Sequence, residues 1–363
     1  MKSLATLGNE LYAGRTSIPF VGKRKLWYII ASCAIVISLI CLATIGLQPG
    51  IEFKGGTQVT ITSVKDPKEG PANDVLAKNN LATSARVSTT GSSSVRVQTP
   101  ALDAQQLTGL KDELAQAYSV GSDDVAATTI GPSWGKDVSA KALRGLVIFF
   151  VLVGVLIWVY FRTWKMSVAA LLALTHDVII TVGVYSLSRF EVTPATVIGV
   201  LTILGYSLYD TVVVFDKIRE NTADVLTQKR STYGELANLA VNQTFVRSIN
   251  TSVVGLLPVA SILFIGSVIL GAGTLRDISL TLFIGMIAGA ASSIFLATPL
   301  LVDLRSREAD IKAHDERVLE ERGERRTQAE ARGETIDDIP VAAPVRPGHH
   351  LGHAAQPKRK KKS

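Results

Sequence analysis

Asp210 stands inside Ala195–Lys217, ATVIGVLTILGYSLYDTVVVFDK, a stretch apolar enough to cross a bilayer. A charged side chain at that depth costs at least ~2.5–3.5 kcal/mol, so intramembrane acids face a bundle interior or a water cavity and are functional candidates by default. On a helix, Thr202, Tyr206, Tyr209, Asp210 and Val213 recur every three to four residues, which sets the polar side chains on one face. The alternative, Asp210 at the headgroup level, requires the run to end early, whereas Val212, Val213, Val214 and Phe215 continue it.

Partners for such an acid are present in the chain. In Asn242–Thr251, NQTFVRSINT, the residues Gln243, Arg247 and Asn250 or Thr251 share a helical face. Arg247 either meets Asp210 across a helix interface or snorkels to the headgroups from one turn inside. Thr175-His176-Asp177, with Thr181 a turn further on, places two titratable groups side by side in another apolar run. A structural network and a proton relay explain His176 and Asp177 equally. Burial and a neighbouring guanidinium act in opposite senses on a carboxyl, so small changes in separation or wetting switch its charge. The chemistry such a set performs is protonation coupled to helix movement. A proton crossing the membrane potential yields ~2.3 kcal/mol per 100 mV, enough to bias a two-state arrangement. No GxxxxGK[ST] occurs, so an ion gradient rather than ATP is the implied energy source.

The elements that must hold these residues are membrane helices. The chain has 363 residues, 47% of them hydrophobic, with few aromatics and only Cys33 and Cys41, both inside the first apolar run and read as small packing residues. Six runs are long enough to span: Leu26–Ile45, Leu143–Phe161, Met166–Leu187, Ala195–Phe215, Val253–Leu270 and Ile278–Leu304. The first reads as an uncleaved anchor rather than a signal peptide, because no small-residue cleavage site follows it. The net charge of +7 would suggest nucleic acid in a soluble chain, but here it sorts by side of the membrane. Lys23, Arg24, Lys25, Arg162, Lys165, Lys217, Arg219, Lys229, Arg230, Arg305 and Arg307 fall on one side; the short loops of the other carry only Arg189 and Arg276. The positive-inside rule then places both termini in the cytoplasm of a multi-pass protein of the cytoplasmic membrane, with no specific nucleic-acid partner.

The resulting organisation is a cytoplasmic arm (1–25), a first span (26–47), one external domain (48–141), five further spans (142–304) and a charged cytoplasmic tail (305–363). The external segment reads as strand Thr57–Thr62, helix Ala72–Asn80, strands Ala85–Thr89 and Val95–Gln98, helix Asp103–Tyr118 capped by Asp103, and strand Val125–Ile130. That βαββαβ order predicts a small α+β ferredoxin-like domain. It has no cysteine or histidine, and Asp112, Glu113, Asp123 and Asp124 read as solvated, so neither an enzyme nor a cofactor or metal site is expected. Thr232-x-x-Glu235 predicts a capping box opening a short helix that leads into the fifth span. Gly285 and Gly289, in a GxxxG spacing with Ala290, Ser292 and Ser293, predict a close helix-packing face. The tail is expected to bury no core and to be disordered or partly helical; its His349, His350 and His353 read as solvated, and its KRKKK end as a solubility or anionic-surface feature.

Five motifs in order resemble the SecF family, the smaller half of the SecDF accessory complex of bacterial protein export, itself similar to half of an RND-type transporter. Gly50-Ile51-Glu52-Phe53-Lys54-Gly55-Gly56-Thr57 is similar to the family's G-[IL]-D-F-x-G-G-T, with Glu52 where Asp is usual. Gly131-Pro132-Ser133-Trp134-Gly135 resembles the lead into the second span, and Ala173-Leu174-Thr175-His176-Asp177-Val178 the A-x-x-H-D-V of the third. Gly205 through Asn221 resembles the fourth-span signature, with Tyr209 in place of the common Asn, and Asn242-Gln243-Thr244 through Ser252 the entry of the fifth. Where Tyr is frequent before Ser292-Ser293, this chain has Ala291. Covering roughly residues 20–305, the resemblance implies pairing with SecD, work beside the SecYEG channel, and use of the proton gradient to draw exported unfolded polypeptide outward. Proton passage would fall to Asp210 and Arg247, with protons as the coupling ion. The other reading is an RND-like proton-driven exporter of lipids or small molecules.

Overall fold

The computed structural model describes residues 4–91, 93–269 and 273–331. In chain order its elements are α1 (Leu4–Tyr12), α2 (Arg24–Thr44), β1 (Gln48–Pro49), α3 (Ile51–Lys54), β2 (Gly56–Ile61), α4 (Gly70–Lys78), β3 (Arg86–Thr90), β4 (Ser94–Thr99), α5 (Ala104–Tyr118), β5 (Val125–Ile130), α6 (Pro132–Phe161), α7 (Trp164–Ser188), β6 (Glu191–Val192), α8 (Pro194–Asn221), α9 (Tyr233–Ser261), α10 (Gly273–Ser292), α11 (Thr298–Arg305) and α12 (Ala309–Ala331). A π-helical stretch, Ile262–Ile269, continues α9, and another, Ser293–Ala297, joins α10 to α11. Among the described residues, six helical stretches are long and apolar enough to cross a membrane, and each overlaps one apolar run of the sequence. The chain divides into two compact units, the first comprising Tyr28–Asp210 and Thr251–Ser293, the second Met1–Trp27, Thr211–Asn250 and Ile294–Ser363.

In the first unit, β2 to β5 form a four-stranded antiparallel sheet in the order β3-β4-β2-β5. Period-two alternation sends Val59, Ile61, Val95, Val97 and Val125 to one face, where they are buried with Leu76 of α4 and Leu110 and Leu114 of α5. Asp103 caps α5 by accepting from Gln106 N at 2.8 Å, and the Gln106 side chain accepts in return from Asp103 N at 3.2 Å. The opposite face is polar: Gln98 donates to Gln58 at 3.2 Å and to Glu191 at 3.0 Å, beside the parallel pairing of β1 with β6.

Entry into the sheet is a corner built from glycines. Gly55 has φ of 78° and Gly56 of 141°, and a Cβ on Gly56 would lie 2.5 Å from the Thr99 carbonyl oxygen. Thr57 follows fully buried, its hydroxyl 3.0 Å from that of Thr129. On the other side of the corner, a Cβ on Gly135 would lie 2.4 Å from the Phe53 carbonyl oxygen, so α6 starts hard against this backbone.

The second unit gathers the N-terminal arm, the start of α9, α11 and α12. Leu11, Phe20 and Val21 are buried, and the backbone at Ile18 and Val21 donates to the amide oxygens of Asn242 and Asn238 at 2.8 and 3.0 Å. The capping box at Thr232 and Glu235 forms, with N–H contacts of 2.9 and 3.3 Å, but it opens α9 itself: the expected short helix and the fifth span are one continuous helix. The tail expectation also needs correction over 309–331, which form α12 and bury Ile311, His314 and Val318. Those three recur every three to four residues within a charged run, so the apolar stripe is one residue wide and composition alone hides it. Arg322 clamps Glu235 through contacts of 2.6 and 2.7 Å, and His314 Nε2 lies 2.7 Å from the Gln228 carbonyl. His349, His350, His353 and the KRKKK end lie outside the described residues.

Candidate functional site

The first unit brings α7, α8 and α10 together through small residues one turn apart. A Cβ on Gly199 would come within 2.8 Å of Thr281, one on Gly285 within 2.5 Å of Ile203, and one on Gly289 within 2.7 Å of Ser207. Positions 199, 203 and 207 of α8 therefore run in register with 281, 285 and 289 of α10, the i, i+4 spacing that lets two backbones approach closely. Gly285 and Gly289 form the packing face expected of them.

That close approach sets Ser207 against the third span. Its hydroxyl donates to Asp177 Oδ2 at 2.7 Å, and His176 Nδ1 lies 3.2 Å from Asp177 Oδ1. Asp177 is 2% exposed and Ser207 1%. Ser293 donates to the carbonyls of Gly289 at 2.8 Å and Ser207 at 3.4 Å, and Thr181 returns to the Asp177 carbonyl at 2.7 Å. Asp210, 6% exposed, follows Ser207 by three residues and so lies one turn along the same side of α8. Asp177 is thus bonded to Ser207, and Asp210 lies one turn from Ser207 on the same side of α8. A hydroxyl can both donate and accept, and each carboxyl can carry a proton, so these are groups of the kind that take part in proton transfer.

The polar residues predicted to share a face with Asp210 are divided by the packing. Thr202 and Tyr209 are exposed, Tyr209 by 53%, while Tyr206 is half-buried and donates from its hydroxyl to the Thr251 carbonyl at 2.9 Å. At about 100° per residue these positions fill a sector roughly 100° wide, and the edge of the packed surface runs through it. Arg247, Gln243 and Asn250 belong to the second unit. There Gln243 accepts from Asn221 at 3.0 Å and donates to the Tyr12 carbonyl at 3.3 Å, which makes it a tie between helices and arm. Gly50, Glu52, Phe53, Gly55, Gly56 and Thr57 form the corner described above, and Gly50 N donates to the Val192 carbonyl at 2.9 Å. Ser207 was absent from the sequence-derived set, and Ser293 was expected only on the packing face of the last span. The available signal was the three-residue step from Ser207 to Asp210, and the pair Ser292-Ser293 one turn beyond Gly289.

A family model described as "Protein export membrane protein SecD/SecF, C-terminal" matches residues 110–307, and one described as "SecD/SecF GG Motif" matches residues 42–66. The chain is 47% identical over 338 residues to the protein translocase subunit SecF of Streptomyces coelicolor, covering 93% of this chain and 89% of that one. Against SecF of Mycobacterium tuberculosis the identity is 40% over 324 residues, with 86% and 73% covered. Among solved structures it resembles SecDF of Thermus thermophilus with a TM-score of 0.72 and 29% identity, and SecDF in a super-membrane-facing form with 0.58 and 28%. It spans about two fifths of those chains, 39% and 40%. With its six apolar helices, the chain belongs to the SecF family and is a multi-pass membrane protein, an accessory subunit of Sec protein translocation.

Proposed function

We propose that this subunit, paired with SecD beside the SecYEG channel, converts the proton motive force into outward movement of exported unfolded polypeptide. Asp210 is the proton carrier and Arg247 its charge partner, with His176 and Asp177 as a second station. Thr202, Tyr206, Tyr209, Gln243, Asn250 and Thr251 supply the polar surroundings. The observation that carries this reading is a carboxylate 6% exposed in a membrane-crossing helix, one turn from a hydroxyl bonded to a second buried carboxylate. Protonating either acid removes a charge whose burial constrains the helices around it.

The pairing with SecD is supported by α8 itself. Thr202, Gly205 and Tyr209 are exposed on one side of a helix that crosses the membrane, and nothing approaches within 4 Å of the place a Gly205 side chain would occupy. A polar stripe with a notch at its centre is a helix-packing surface, and it is costly to leave to lipid. This chain is 32% identical over 269 residues to the protein translocase subunit SecDF of Thermus thermophilus and covers 35% of its length. In this reading the α/β domain is ferredoxin-like, which its strand order β3-β4-β2-β5 supports, and extracytoplasmic. Both termini are cytoplasmic, as the basic residues flanking the spans require.

The test is Asp210→Asn in a strain whose export is measured with and without the proton gradient. Loss of the gradient-dependent share of export, with unchanged amounts of subunit in the membrane, is the expected result. Export that still responds fully to the gradient would sink the proposal.

A further inference from the structure

Where α7 ends and α10 begins, on the side of the spans that carries the α/β domain, a cavity of about 260 Å³ is lined by Arg86, Arg96, Arg189 and Arg276. Glu69, Glu191 and Asp277 line it as well, but two of these carboxylates are committed. Glu191 accepts from Gln98 at 3.0 Å and lies 3.6 Å from Arg96, and Asp277 accepts from Thr193 at 3.1 Å. Arg86 donates only to neutral oxygens, those of the Gln48 side chain and the Arg189 carbonyl, both at 3.3 Å. Arg276 lies over the Phe190 ring at 4.8 Å. Asp277 interacts through space with Arg276 and Arg96, but among the described residues no carboxylate lies within 4.0 Å of Arg86, Arg189 or Arg276, and Arg96 Nε is buried with no hydrogen-bond partner. Guanidinium groups left with spare donors around one hollow match a phosphate, whose oxygens accept in the same fork geometry.

The segment that forms one wall of this cavity also walls a second one. Val192 and Thr196 line an apolar hollow of about 270 Å³ with Leu47, Leu143, Val182 and Leu201. The two hollows meet at a polar seam in which the Tyr185 hydroxyl donates to the Asp277 carbonyl at 3.2 Å. A cationic hollow at the membrane edge with an apolar hollow beside it, within the span region, is matched by an amphiphile rather than by a free ion.

We infer that Arg86, Arg189 and Arg276 bind the phosphate of an anionic phospholipid, such as phosphatidylglycerol, whose acyl chain lies along the apolar hollow. The site is independent of proton transfer at Asp210 and of any export activity. It ties the α/β domain, through β3, to the ends of α7 and α10 by way of a lipid.

The experiment uses the full chain in detergent micelles, with lipid retention read by native mass spectrometry. Phosphatidylglycerol, phosphatidylcholine and inorganic phosphate are added separately. Phosphatidylglycerol is expected to be retained at least about tenfold over phosphatidylcholine, and Arg189→Gln with Arg276→Gln to remove that preference, since a charge-assisted bond is worth roughly one decade in affinity. Arg189→Lys with Arg276→Lys, which keeps the charge but not the planar fork, is expected to retain a preference below that of the unaltered chain and above that of the Gln pair, separating recognition from misfolding. Equal retention of the two lipids by the unaltered chain would overturn the assignment, as would a preference that survives the Gln pair. Binding of inorganic phosphate with no preference between the lipids would equally overturn the lipid as occupant.

Discussion

Ser207 donates its hydroxyl to Asp177 across the third and fourth spans at 2.7 Å, and Gly289 of the last span fills the space behind Ser207 with no side chain of its own. The buried acid of α7 is therefore bonded to a serine that stands at a close contact between α8 and α10. Helix packing and the bonding of a buried carboxylate depend there on the same few atoms.

Replacing Ser207 with Ala leaves a buried carboxylate oxygen short of its donor, a loss of about 1–3 kcal/mol. A lower unfolding temperature in detergent is expected, together with weaker gradient-dependent export. Ser207→Thr, which keeps the hydroxyl, should hurt export less than Ala does. Equal export in Ala and wild type would show that the bond is structural only.

Gly289 and Gly205 make a contrasting pair on two faces of one interface system. Gly289→Val drives a branched side chain into Ser207, already 2.7 Å from a bare Cβ, and overpacking of this kind costs about 1–3 kcal/mol. Gly205→Leu meets open space in the isolated chain, so its stability should change by no more than about 0.5 kcal/mol. If SecD covers that notch, the Leu variant loses co-purification with SecD while folding normally. Undiminished co-purification would remove α8 from the proposed interface.

At the corner before the sheet, Gly56→Ala forces a Cβ to 2.5 Å from the Thr99 carbonyl at a φ of 141°. Strain of this kind costs about 1–3 kcal/mol, and it falls on the edge where β2 meets β4. Limited proteolysis of the full chain should then cut within the α/β domain first. Glu52→Asp, which keeps the charge, should leave the cleavage pattern as it is.

Tyr118 offers a pH signature of the same domain. Its hydroxyl donates to the Lys68 carbonyl at 2.6 Å and accepts from Ala72 N at 3.2 Å, and burial pushes the phenol above its ordinary 10.0. The folded domain thus holds the proton more tightly than the unfolded chain does. Its contribution is full below pH 10 and is lost as pH rises through the higher folded value. Alkaline unfolding followed by tyrosinate absorbance should show this limb, and Tyr118→Phe should flatten it; an unaltered alkaline limb in the Phe variant would reject the assignment.

Most of the architecture was legible in the residue pattern. Apolar run length defines a membrane helix because every backbone group must be satisfied inside it, and the six runs need nothing else to be read. Period-two alternation and Asp103 at a cap position likewise expose the order of strands and helices between β2 and β5. Asp210 was legible as well, because an acid in an apolar run has few explanations.

Other features depended on which residues meet across helices. The three-residue step to Asp210 puts Ser207 on the acid's side of α8, but that it meets Asp177 follows from the close approach of Gly289 across the helices. The same holds for α12, whose three buried residues are outnumbered by charges until α9 lies beside them. Thr202, Tyr206, Tyr209 and Asp210 share a sector by helical periodicity, which sequence alone determines. Where the edge of the packed surface cuts that sector, burying Asp210 and leaving Tyr209 outside, was decided by the small-residue contact between α8 and α10, because helix separation is set by both partners.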